Sequence, residues 1–174
     1  MINTPDRPVP RFPADKEAIA AQKIAKILAK LAAGPEDLAL TQGACGGDLL
    51  FAEACLQRGV KLKLLQPFDE PAFIKKSVLP GGESWRERYF KIKQQAQTKA
   101  APIELGLPPK DVNPYERCNL WLLYSALAYG TDIVQFICLW NGEGGDGPGG
   151  TAHMYNEVNE RTGQVIWLDT RRLL

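Results

Sequence analysis

Two glycine-rich segments carry the residues best suited to chemistry in this 174-residue chain. The first runs Thr41-Gln-Gly-Ala-Cys-Gly-Gly-Asp48, and the second runs Asn141-Gly-Glu-Gly-Gly-Asp-Gly-Pro-Gly-Gly-Thr151. Glycine lets backbone approach a ligand and adopt positive φ, and a helix start just beyond it exposes unpaired N–H groups to an anion. Gly43, Gly46, Gly47 and Asp48 are the candidate ligand contacts of the first segment, and Gly149, Gly150 and Thr151 those of the second. Asp48 has two readings, a helix cap or a partner for a ribose hydroxyl or substrate amine. The Thr151 hydroxyl either caps its helix or meets a phosphate. Six of the ten residues from Asn141 to Gly150 are glycine, an entropic cost that a plain connector does not require. Neither segment is the G-x-G-x-x-G fingerprint, and the Walker lysine is absent.

Around these loops stand a few side chains of mixed reading. His153, the only histidine in the chain, falls two residues into the helix that opens at Thr151 and is a candidate catalytic group together with Glu157. Asp48 and Glu53 are further acid–base candidates. Arg7 and Arg11, in a proline-rich arm, are suited either to neutralising a phosphate or to simple solvation. Asn119 opens another helix and either contacts ligand or caps. Trp85 and Tyr89 read as core. Four cysteines (Cys45, Cys55, Cys118, Cys138) form no CxxC pair and have no histidine at zinc spacing, so no metal site is expected. Cys55 and Cys138 lie among apolar residues and read as core; Cys45, inside a glycine loop, either packs or faces ligand.

These residues must be positioned by an alternation of helices and strands. Residues 1–13 cannot form regular structure. Helices are expected over Ala14–Ala33, stopped by Gly34-Pro35, and over Asp48–Arg58. One short and one longer helix should occupy residues 70–98, separated by Pro80-Gly81-Gly82. Two more span Pro114–Tyr129 and Thr151–Arg161. Strands are expected at Leu38–Thr41, Val60–Gln66 and Asp132–Trp140, with a last one at Gln164–Leu168 and a weak edge strand at Ala101–Leu105. Such alternation predicts an α/β fold whose parallel sheet is covered by helices on both faces, with its site outside the strand C-termini.

The bulk numbers fit one such domain over residues 1–174. Lys plus Arg is 21 against 20 for Asp plus Glu, so no strong field points to nucleic acid or to a membrane surface. The apolar runs are too short to span a bilayer, the N-terminus does not read as a signal peptide, and the thiols suit a cytoplasmic setting.

Gly43–Gly59 (GACGGDLLFAEACLQRG) is similar to the glycine loop and helix of the LONELY GUY and lysine-decarboxylase-like proteins, and Gly147–Thr151 (GPGGT) resembles a shortened form of their PGGxGT motif. Both families lie in the SLOG superfamily with the DNA-processing protein A fold. Over nearly the whole chain, CGGDLLFAEA, Asn119-Leu-Trp121 and LWNGEGGDGPGGTAHM resemble a bacterial subgroup often found beside signalling or conflict-effector modules. The resemblance implies a Rossmann-like three-layer αβα fold, with the family's first strand missing or replaced. It also implies a nucleotide-type ligand, no separate cofactor, and a homodimer or adjacent effector proteins as partners. The hydrolases of the superfamily carry a glutamate shortly after the PGGxGT threonine, where this chain has Ala152-His153-Met154. Sensing of a nucleotide-derived phosphate is therefore the expected function, and N-glycosidic hydrolysis or glycosyl transfer the alternative.

Overall fold

The computed structural model describes residues 2, 10–101, 113–144 and 149–173. Five strands and six α-helices alternate along them: α1 (Glu17–Lys30), β1 (Leu38–Thr41), α2 (Gly47–Gln57), β2 (Lys61–Gln66), α3 (Glu70–Phe73), α4 (Glu83–Lys93), β3 (Gln97–Ala100), α5 (Pro114–Leu127), β4 (Phe136–Trp140), α6 (Thr151–Arg161) and β5 (Val165–Asp169). Every strand pairing among the described residues is parallel. β2 lies between β1 and β3, and β4 pairs with β5. The arrangement is the expected α/β, Rossmann-like one. Its strands form a three-stranded and a two-stranded ladder among the described residues, rather than one continuous sheet.

Alternation along the strands decides which helices cover which face. Ala39, Leu62 and Leu64 pack among Ala20, Ile24 and Leu28 of α1, Leu49 and Leu50 of α2, and Trp85, Tyr89 and Ile92 of α4. Ile137 and Leu139 of β4 and Leu168 of β5 pack against this same core, so side chains join the two ladders where backbone bonds do not. α5 covers the opposite face, where the Cys118 thiol donates to the Leu65 carbonyl at 3.1 Å. α6 lies beside it and sets Tyr155 against Trp140 and Trp167 at 5.6 and 6.3 Å between ring centres. Three layers result.

Several boundaries differ from those the sequence suggests. α1 ends at Lys30 rather than near Ala33 because Ala32 turns left-handed (φ 54°) and the Ala33 amide reaches back to the Leu28 carbonyl. The segment after α3 continues as a π-turn over Ile74–Val78 and a 3₁₀ turn over Leu79–Gly81 before Gly82 starts α4. α4 stops at Lys93, and the third strand is Gln97–Ala100. Pairing with β2 overrides the poor strand propensity of QTKA, and the Ala101 amide extends the ladder to the Gln66 carbonyl. Residues 102–105 of the expected edge strand lie outside the described residues. Thr131–Ile133 is a 3₁₀ turn, which shortens the expected fourth strand to Phe136–Trp140.

Candidate functional site

The first glycine segment leaves β1 and enters α2, whose N-cap is Gly46 in a left-handed conformation (φ 98°). No side chain caps this helix. Asp48 turns back instead: its Oδ2 accepts from the Gly43 and Ala44 amides, each at 3.1 Å. Its first reading is thus corrected, because the carboxylate closes the loop rather than capping the helix. Gly43 also has positive φ (89°) and packs near Leu64 and Tyr89, while a Cβ on Gly47 would meet Leu139 at 3.4 Å. The Cys45 amide donates to the Ser77 carbonyl at 2.8 Å, and Cys45 is 1% exposed. Burial raises its thiol pKa, as it does for Cys118, and pushes Cys55 and Cys138 up to about 12, so none of the four is a thiolate nucleophile at neutral pH.

The second segment leaves β4 and enters α6. Gly150 is the N-cap with ordinary extended backbone, and Thr151 is the first helical residue, so the threonine hydroxyl is not the cap. Asp69 and Asn113 cap α3 and α5 with their side chains, whereas among the described residues no side chain caps α6. Among the described residues the first amides of α2 and α6 find no acceptor, as expected where an anion could take their place.

Asn119 joins the two segments. Its Oδ1 accepts from Gln42 Nε2 at 2.9 Å and its Nδ2 donates to the Gly149 carbonyl at 2.9 Å. This side chain is 7% exposed and satisfied on both sides, so Asn119 is a stitch between loops rather than a helix cap. Gly149 is required by its surroundings, with φ of 94° and a Cβ position that would stand 2.5 Å from the Glu116 amide nitrogen. Ser77 and Tyr115 support the same junction through a 2.9 Å hydroxyl–hydroxyl bond.

Glu116, which the sequence reading missed, is the main addition to this site. The Asn113-Pro114 helix start, with an acid in the first turn, was its only signal. His153 Nε2 lies 3.6 Å from Glu116 Oε1 and 4.0 Å from Glu157 Oε1, and its Nδ1 is buried without a hydrogen-bond partner among the described residues. Glu157 is held by Arg161 at 2.7 Å. Glu53 is not at the site: both its oxygens bond Arg88 at 2.6 Å on α4, which explains its acid in structural terms.

Arg11 donates to the Gly144 carbonyl at 3.3 Å, and its own carbonyl accepts from the Thr170 hydroxyl at 2.7 Å, so Arg11 lies against the second segment. Pro10, Arg11, Asn141, Glu143 and Arg171 line a cleft there of about 310 Å³, beyond the C-terminal end of β4. Arg7, Gly147 and Pro148 lie outside the described residues. No group of three metal-ligating side chains occurs among the described residues, and no helix among them is long and apolar enough to cross a membrane. In comparisons with models of known protein families and with curated proteins, nothing matches this chain.

Proposed function

We propose that this protein binds a nucleotide-derived phosphate ligand in the cytosol and acts as its sensor. The observation that carries the reading is the Asn119 stitch, which gathers two glycine segments and their uncapped helix starts at the C-terminal end of the strands. Phosphate oxygens would accept from the first amides of α6, where the helix dipole adds about 0.3–1 kcal/mol per anion. Arg11, beside Gly144, supplies positive charge at the margin. The reading is tested by calorimetry with adenosine monophosphate and with inorganic phosphate. Gly150→Asp places a carboxylate at the α6 N-cap without conformational strain, because φ there is −77°. We expect this substitution to abolish phosphate binding and leave the circular dichroism spectrum native; unchanged affinity refutes the assignment.

The pair of Glu116 and His153 favours a second reading, hydrolysis of a nucleotide N-glycosidic bond. An imidazole can donate to a departing base while a nearby carboxylate supports a cationic sugar. Release of free base from a nucleoside monophosphate, lost in His153→Ala, would select this reading over sensing.

A further inference from the structure

We propose that β5 is a docking edge for a second copy of this chain, the two strands pairing antiparallel about a twofold axis at Trp167.

β4 faces the first ladder, because its Leu139 stands against Gly47 just beyond β1, and β5 pairs only with β4 among the described residues. β5 is therefore an outer edge. The Gln164 carbonyl accepts from the Phe136 amide at the start of β4. Alternation along a strand then turns the amides and carbonyls of Val165 and Trp167, and the amide of Asp169, away from β4. None of these groups bonds a described backbone group. The opposite edge, β3, is guarded by an exposed charge, Lys99 in QTKA. β5 has no such guard before Asp169: Val165-Ile166-Trp167-Leu168 is apolar throughout, and Trp167 is 42% exposed. A bare apolar edge of this kind is a template for another strand.

The two ends of β5 select a second copy as that strand. Beyond the C-terminal end stands Arg172, its side chain 86% exposed and 3.5 Å from Asp169. Beside the N-terminal end stands the exposed Asp132, whose carbonyl accepts from Gln164 at 2.9 Å. A twofold axis at Trp167 brings each end of one strand to the opposite end of the other, so Arg172 of each copy approaches Asp132 of its counterpart. The same axis sets the two Trp167 residues opposite each other, a favourable aromatic cross-strand pair. Between β5 and α1 opens a cleft of about 280 Å³, lined by Lys23, Leu168, Arg172 and Leu173. Twofold pairing aligns Ile166 of the second copy with Leu168 there and covers both. One pair of five-residue strands buries less than a standard interface, so the dimer is weak and depends on concentration.

The test is sedimentation equilibrium from about 1 μM to about 1 mM protein, with amide exchange measured alongside. We expect the wild-type mass to rise from 19.2 kDa toward twice that value, and exchange of the Trp167 amide to slow as it does. Arg172→Asp makes both end contacts repulsive and should weaken association about tenfold; adding Asp132→Arg to the same chain should restore it. A wild type that stays monomeric throughout overturns the proposal, even if an added apolar peptide slows the same amide, a result that assigns the edge to a foreign strand. A dimer that Arg172→Asp leaves undiminished, or that the double variant fails to restore, overturns it too. If Arg172→Asp unfolds, Asp132→Arg alone must weaken association as much, and an unchanged dimer there has the same consequence.

Discussion

A methyl group at Gly149 would collide with backbone, so this glycine tolerates no side chain without rearrangement. The added carbon would stand 2.5 Å from the Glu116 nitrogen and 2.8 Å from Tyr115 Cβ, at a φ of 94° that side chains rarely adopt. Gly149→Ala should cost at least about 3 kcal/mol from clash and left-handed strain combined, seen as a lower urea midpoint, and should weaken ligand binding as well. The glycine was legible in the sequence as part of an unusual run, yet its reason was not. Sequence suggested a backbone drawn toward a ligand, whereas the contact that forbids a side chain is the first turn of α5. Glu116 was invisible for the converse reason, since its position depends on a helix start meeting a loop more than thirty residues away in sequence. Thr151 opens its helix as the sequence suggests, but Gly150 takes the N-cap position that the threonine hydroxyl was read as filling, and only the backbone angles reveal that.

At the scale of elements, Arg88 shows how helices with ordinary patterns are fixed relative to one another. Projecting from α4, it bonds Glu53 of α2 through two nitrogens and Glu17 of α1 through a third, each at 2.6 Å, and stacks 4.0 Å from the Trp85 ring centre. Arg88→Ala should destabilise by about 2 kcal/mol, because it leaves two half-buried carboxylates facing each other. Thermal unfolding reads that loss, and phosphate affinity should not change. The helical stripes and buried strands LALT and VKLKLLQ were legible because period and composition agree there. QTKA was not, since a polar strand gains its place only from pairing with β2. Likewise, the residues Asp132–Gln135 carry strand-like composition but end in a 3₁₀ turn and extended connector outside the ladder.

At the scale of the whole molecule, a polar chain from the surface to the core contributes to the response to acid. The Lys93 ammonium and the Tyr89 hydroxyl donate to Glu70 at 2.6 and 2.7 Å, and Gln66, fully buried, donates to Tyr89 at 2.6 Å. Burial alone would raise the Glu70 carboxyl, but these two donors outweigh it and hold its pKa below the ordinary value. A lowered folded-state pKa gives stability that is present above the ordinary carboxylate value of about 4.3 and lost as pH falls through the folded one. Glu70→Gln should therefore lower stability by about 1 kcal/mol at pH 7, with Lys93 partly solvated, and should show a shallower decline on acidification. Urea titrations at pH 7 and pH 3.5 measure both slopes.

The parallel pairing of every strand also governs how the chain can reach this structure. Leu38 must find Lys61 across α2, Lys63 must find Gln97 across α3 and α4, and Phe136 must find Val165 across α6, with no hairpin among the described residues to start the search. Ordering the loop precedes any reward from the ladder, so the folding rate is limited by chain closure and falls toward the slower part of the range for domains of this size, on the order of milliseconds to seconds. Because the two ladders share side-chain packing but no backbone bonds among the described residues, β4, α6 and β5 can assemble as one kinetic unit and the first three strands as another. Asn119 then closes last, so the two glycine segments are joined only when both units have already formed.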